Sequence, residues 1–381
     1  MKKKLYISRS VKLVSLFLVL ILTLGILQNY VLCRIDQNSI RLEGYYQEEQ
    51  DTLDVVLLGA SEVYTSFASG LAYDKFGFTS YPFASESMTA DGMMLALKEI
   101  QRTQKPQLIV IELNSYLYRT DVNEQHDAHI RKLIDNIPLN GNKIEYITNN
   151  VSPDLWAEYY FPIIKYHSTW SSIMKKPRLA VTKIWQELRG ISYLKGLRTT
   201  TTVFNPNVKI YNDKLADINE TKELSPVLEK KLIDLLDYCK EQKMDNVVFM
   251  RAPHIVVAQS SIDRVERANR AGEIVKSYGY PFINLERDFA KTGVDVKTDF
   301  YNYDHMNIYG TVKITNYLGS ILYNDYHIRG KELSEKQKEN WDTAAEYFHK
   351  LYKYSDYLIK EKHEMIQLTE DINTLRALKN Y

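Results

Sequence analysis

The chain has 381 residues, 45% of them hydrophobic and 25% charged, and its 49 Lys and Arg against 48 Asp and Glu leave a formal net charge of +1. A near-neutral balance, with no basic helix and no zinc-ligand spacing, excludes nucleic-acid binding as a principal function. Two cysteines, Cys33 and Cys239, make neither a disulfide framework nor a metal site, so no metal and no cofactor is expected.

Residues 1–12 carry Lys2, Lys3, Lys4, Arg9 and Lys12, and residues 13–33 are uncharged and mostly Leu, Val and Ile. About 20 such residues cross the ~30 Å hydrocarbon core of a bilayer. The basic flank then predicts a single-pass anchor in the cell membrane, with residues 1–12 cytoplasmic and 34–381 extracytoplasmic. A cleaved signal peptide is the rival reading, although no small residues follow Leu27 at the usual spacing and Tyr30-Val31-Leu32 lacks the small residue that precedes a lipidated cysteine.

Asp54-Val55-Val56-Leu57-Leu58 reads as a buried strand, and Gly59-Ala60-Ser61 as the turn leaving its carboxyl end. A short strand over 78–83, a helix over 89–103 and an apolar run over 108–113 complete a βαβ pattern. The rhythm lapses between about 116 and 224, where aromatics including Trp156, Tyr159, Tyr160, Phe161, Tyr166, Trp170 and Trp185 suggest a helical insertion acting as a lid or cap. It resumes with a helix over 225–242, which holds Cys239 as an inert thiol, then a strand over 246–250, a helix over 261–278, a strand over 281–285 and a helix over 309–323. Residues 331–381 form a charged, Tyr- and Leu-bearing tail of one or two amphipathic helices, folding back on the domain or meeting a partner. The fold class is α/β, a three-layer α/β/α (flavodoxin-like) domain with a mainly parallel sheet.

Such sheets bind ligands at the carboxyl ends of their strands, which gathers Ser61, Asn114 and Arg251 to His254 on one edge, with His305 in the loop before the last helix able to reach it. A serine needs a neighbouring base to attack a carbonyl carbon, and histidine is the usual one. Each residue also has an ordinary reading: Ser61 as a helix cap, His167 as a solvated or packed histidine, Arg251 as the partner of a core carboxylate or of an anionic substrate group.

Gly59-Ala60-Ser61 and His305-Met306-Asn307-Ile308-Tyr309-Gly310 together resemble the nucleophile and histidine blocks of the SGNH (GDSL-like) hydrolases. Arg131 to Lys143 and Tyr160 to Trp170 resemble segments of SGNH-like proteins of Gram-positive bacteria. The anchored layout resembles the cell-envelope members, the DltD-like proteins of teichoic acid D-alanylation and the polysaccharide O-acyltransferases. The resemblance implies Ser61 as nucleophile, His305 as base, and Ala60, Ser85 and Asn114 as oxyanion or substrate groups; His167, between aromatics, is a candidate for lining an acceptor cleft. It departs at two points. The triad Asp position holds Asn302, leaving Asp304, Asp299 or Asn302 to orient His305, or a Ser-His dyad. The glycine of the second block is replaced within Phe83-Ala84-Ser85-Glu86-Ser87, so that an N–H of Ser85, Ala60 or Ser61 must serve.

The implied function is a serine esterase or O-acyltransferase working through an acyl-serine on an envelope polysaccharide or teichoic-acid-like acceptor. The alternative is a catalytically silent scaffold that holds such a polymer or a multispanning membrane acyltransferase.

Overall fold

A computed structural model describes residues 9–118, 127–168 and 177–381. Lys2, Lys3, Lys4 and Trp170 lie outside the described residues. Arg9–Ile26 is one apolar helix that widens into a π turn at Leu27–Val31. Together they form a 23-residue helical segment whose most apolar 18 residues have a mean hydropathy of 2.5, long and apolar enough to span a membrane. The chain then turns at Arg34, whose guanidinium bonds Asp36 at 2.6 Å. Asp36 in turn caps the helix Gln37–Tyr46 by accepting from the Asn38 and Ser39 amides.

The domain is built on a five-stranded sheet in the order β2-β1-β3-β5-β6, with β1 Val55–Gly59, β2 Ser80–Ala84, β3 Leu108–Glu112, β5 Val247–Arg251 and β6 Phe282–Asn284, every pair parallel. Parallel pairing needs long crossovers, and the helices that make them cover both faces. The strand sequences are therefore continuous apolar runs whose alternate residues enter two different cores. Val56, Leu58, Ile109, Ile111, Val247 and Phe249 pack with the helices Ala90–Thr103, Pro226–Glu241 and Gln259–Ser277. Val55, Leu57, Leu108, Val110, Val248 and Met250 pack with Ser61–Ser66 and Ile308–Asn324. Buried Asp54 ties the amino ends together, accepting from Thr79, Gln107 and the Lys331 amide.

The interval 116–224 holds helices Asp127–Ile134, Gly141–Asn150, Trp156–Tyr160, Pro162–Tyr166 and Pro177–Arg189 among its described residues. Its first part extends the main core instead of standing apart as a cap. Leu133, Ile134, Tyr146 and Ile147 share the cluster of Met93 and Leu97. Arg131, over the Tyr159 ring at 3.8 Å and paired with Asp127 at 2.7 Å, pins these helices together.

The tail folds back. Its helix Glu335–Tyr357, opened by a Ser334 and Gln337 capping box, lies so close to the helix Ser69–Phe76 that a Cβ on Gly70 would stand 2.6 Å from the Ala344 carbonyl oxygen. The tail also contributes β7, Gln367–Leu368, which pairs antiparallel with β4, Thr199–Thr200, of the insertion. The sequence pattern did not anticipate this ribbon, because strands this short carry no readable alternation.

Candidate active site

Ser61 is the first residue of the helix Ser61–Ser66, reached directly from β1 with Ala60 in extended conformation at the N-cap. As the first helical residue, its own N–H has no intrahelical acceptor. His305 lies in the loop that precedes the helix Ile308–Asn324, between the bridged residues Phe300 and Met306. Asn307 caps that helix, accepting from the Tyr309 and Gly310 amides and donating to Thr298 O at 2.7 Å. Gly310 has no substitute here, since a Cβ would collide with Asp299 O and Met306 Sδ. Thr311 Oγ1 donates to Thr65 O at 2.7 Å, locking the histidine helix to the serine helix.

The result is a Ser61 Oγ to His305 Nε2 distance of 2.7 Å, with both side chains half-buried. On the other side of the ring, His305 Nδ1 lies 2.9 Å from Asn302 Oδ1. That oxygen also accepts the backbone N–H of Asp304 and of His305, each at 2.9 Å, which identifies it as the acceptor end of the carboxamide. Nδ1 must then carry the proton, and Nε2 presents its lone pair to the serine hydroxyl. Tyr301 stacks on the imidazole with centroids 5.3 Å apart. Burial holds the His305 pKa below its ordinary value, against the opposing charges of Glu62 and Asp304. The neutral, proton-accepting form therefore prevails at neutral pH.

Neither aspartate expected as the orienting carboxylate reaches the ring. Asp304, adjacent in sequence, points away to Arg264 at 2.7 Å. Asp299 is buried and engaged by Lys313 at 2.6 Å and by the Asp295 amide. The loop turns so that the side chain three residues before His305, that of Asn302, meets Nδ1.

Beneath the serine lies a buried ionic layer. Asn114 Nδ2 donates to Glu62 Oε1, and Asn114 Oδ1 accepts from Arg251 at 2.8 Å. Arg251, fully buried at the carboxyl end of β5, also donates to Glu286 at 3.0 Å and stands 3.4 Å from Glu112. His254 Nδ1 meets Glu286 at 2.7 Å, while its Nε2 faces Glu62 across 3.8 Å, an ion-pair distance and not a hydrogen bond. Burial alone would raise the Glu62 pKa, but His254 and His305 hold it well below the carboxylate range. Burial and then the charge of Glu62 push Glu112 the other way, toward its neutral form. Glu62 is thus an anion whose Oε2 lies 3.5 Å from Ser61 Oγ.

Of the remaining expected groups, Asn114 and Arg251 join this layer, and Arg251 binds core carboxylates, not a ligand-facing surface. The Ser85 amide is already bonded to Gly59 O at 3.4 Å because β2 stays in register with β1, which removes it as an oxyanion donor. His167 is exposed, and its Nδ1 bond is local, to Ile164 O at 2.7 Å. Sequence reasoning missed Glu62, Glu112, Glu286 and the partnering of His254. The available signal was a set of charged residues directly after apolar strands, at the edge where parallel sheets carry their sites.

The chain matches no protein-family model, and no curated protein is significantly similar to it.

Proposed function

We propose that this chain is an SGNH-type serine esterase or O-acyltransferase, held by its apolar helix at the outer face of a cell membrane and acting on acyl groups of an envelope polysaccharide. The observation that carries the reading is the alignment of Ser61 Oγ, His305 Nε2 and Nδ1, and Asn302 Oδ1, at 2.7 and 2.9 Å. In the first half-reaction Ser61 Oγ bonds to the acyl carbonyl carbon as its proton passes to Nε2. The tetrahedral adduct collapses, the bond to the leaving oxygen breaks, and that oxygen takes the proton from Nε2. In the second half-reaction water or a sugar hydroxyl gives its proton to Nε2 and attacks the acyl-serine, and Ser61 recovers the proton on release. Asn302 keeps the ring in the productive tautomer throughout, without the negative charge that an aspartate would add. The Ser61 N–H at the helix start, which has no intrahelical acceptor, is a backbone donor for the developing oxyanion. The anchor is what favours an acceptor in the cell envelope.

The test is covalent labelling of the full chain in detergent with a fluorophosphonate serine probe, the adduct being located by mass spectrometry. The expected result is an adduct on Ser61 that is lost in Ser61→Ala and strongly reduced in His305→Ala. No adduct on well-folded wild type would favour the second reading, a silent scaffold. That reading draws on the engaged Ser85 amide and on the anionic Glu62 beside the serine, which opposes a second negative charge.

A further inference from the structure

Two helices that touch the outer end of the apolar segment carry large apolar side chains with no protein cover. On Pro177–Arg189, Val181, Ile184, Trp185 and Leu188 are 39%, 42%, 55% and 77% exposed. Their spacing places them on one face, while Thr182 and Gln186 bury the opposite one. Phe161 and Ile164 are 56% and 45% exposed, at the start of and within the helix Pro162–Tyr166, which packs on the same Leu27–Val31 turn. The Pro177–Arg189 helix is itself tied to that turn, since Lys183 Nζ donates to Asn29 O at 3.0 Å and sits 5.6 Å from the Tyr30 ring. Two apolar faces of this kind, each meeting the Leu27–Val31 end of a membrane-spanning segment, differ from scattered surface leucines.

The same face continues into a cleft of about 430 Å³ between Pro177–Arg189, Glu335–Tyr357 and Ile372–Leu378. It is lined by Trp185, Tyr193, Tyr347 and Leu375 together with Arg376 and Lys379, both exposed. An apolar face bearing Trp, with cations along one side, is the pattern of a helix lying in the headgroup layer, where the indole sits at the boundary and the cations meet lipid phosphate.

We infer that the Pro177–Arg189 helix, together with Phe161 and Ile164 on the other helix that meets the Leu27–Val31 turn, forms a second membrane contact, seated flat in the outer leaflet. Arg376 and Lys379 hold anionic headgroups there. This rests on the reading of Arg9–Val31 as a membrane span. The consequence is orientational: an anchor alone leaves the catalytic domain free to swivel, whereas a second contact fixes which side of the domain faces the bilayer.

The experiment uses the full chain in nanodiscs of phosphatidylcholine and phosphatidylglycerol in equal parts, with a fraction of the lipid carrying a spin label near the headgroup. Trp185 emission is taken as the difference between wild type and Trp185→Phe. A Leu20→Trp substitution in the Trp185→Phe background, read with a deep acyl-chain label, reports on the anchor. The inference expects Trp185 to be quenched about twofold by the shallow label, less so when Arg376 and Lys379 are both changed to Gln. Quenching of the Leu20→Trp reporter with none at Trp185 overturns it while leaving the anchor intact, and assigns the face to a protein partner. Absence of quenching at both sites overturns the anchor and this contact together.

Discussion

Asn302 Oδ1 accepts the Nδ1–H of His305 at 2.9 Å, so the ring that faces Ser61 is oriented by a neutral carboxamide. Two backbone amides hold that oxygen in place, which makes the loop itself the orienting device. Asn302→Ala is expected to slow probe labelling of Ser61 by roughly ten- to a hundredfold, or about 1.4 to 2.8 kcal/mol. Asp304→Asn, which breaks the Arg264 pair and removes one charge that favours protonated His305 but leaves the Nδ1 acceptor in place, is expected to label almost as fast as wild type at neutral pH.

The pH profile separates these roles. Because burial depresses the His305 pKa, wild-type labelling should fall only as pH drops below the ordinary histidine value of 6.5, where Nε2 becomes protonated. Asn302→Asp sets a negative charge against Nδ1, which favours imidazolium and moves the acid limb to higher pH.

Glu62→Gln should do the opposite. The Glu62 charge supports protonation of His305, so its removal moves the acid limb to lower pH while the hydrogen bond from Asn114 can persist. Labelling rate against pH for wild type and both variants checks the two signs at once. A common direction of shift would contradict the electrostatic account.

The buried layer also predicts how stability depends on pH. Glu286 is held down at about 2 despite burial, chiefly by Arg251 and then by His254, so its contribution is complete above the ordinary 4.5 and is lost as pH falls from there toward 2. His254 runs the other way. Burial and Arg251 lower its pKa, yet Glu286 and Glu62 raise it above 6.5 overall, so its contribution is complete below 6.5 and is lost as pH rises through the folded value. Thermal unfolding across pH should therefore show the Glu286–His254 pair at its most stabilising between 4.5 and 6.5, with the acid limb flattened in Glu286→Gln. Arg251→Met leaves buried carboxylates without their cation and is expected to destabilise by about 3 to 5 kcal/mol.

Gly70→Ala tests the docking of the tail. The new methyl would meet the Ala344 carbonyl at 2.6 Å, and backbone cannot yield as a flexible side chain would. A loss of about 1 to 3 kcal/mol is expected, read as a lower midpoint of thermal unfolding, with Ser61 still labelled at temperatures well below it.

Much of the scaffold was legible because it is written in local patterns. Val55–Gly59, Leu108–Glu112 and Val247–Arg251 are apolar runs bounded by turn residues, and Ala90, Met93, Leu97 and Ile100 recur at helical spacing. The 23-residue apolar segment needs only composition to be recognised. Ser61 and His305 stood out for the same reason, each in a short block with its own capping or turning residues.

Local sequence thus specified the order of the five sheet strands and of the main crossover helices, the apolar N-terminal helix, and a serine and a histidine at one edge of the sheet, since each of these depends on neighbours a few residues away. Tertiary structure alone decided that Asn302 and not Asp304 or Asp299 meets Nδ1, because a loop's turn sets where consecutive side chains point. It also decided that Glu62, Glu112, Arg251, His254 and Glu286 form one buried layer, and that β4 finds β7. Charges from separate segments read singly as solvated, and only the folded chain brings them within a few ångströms, where a low dielectric makes each depend on the others.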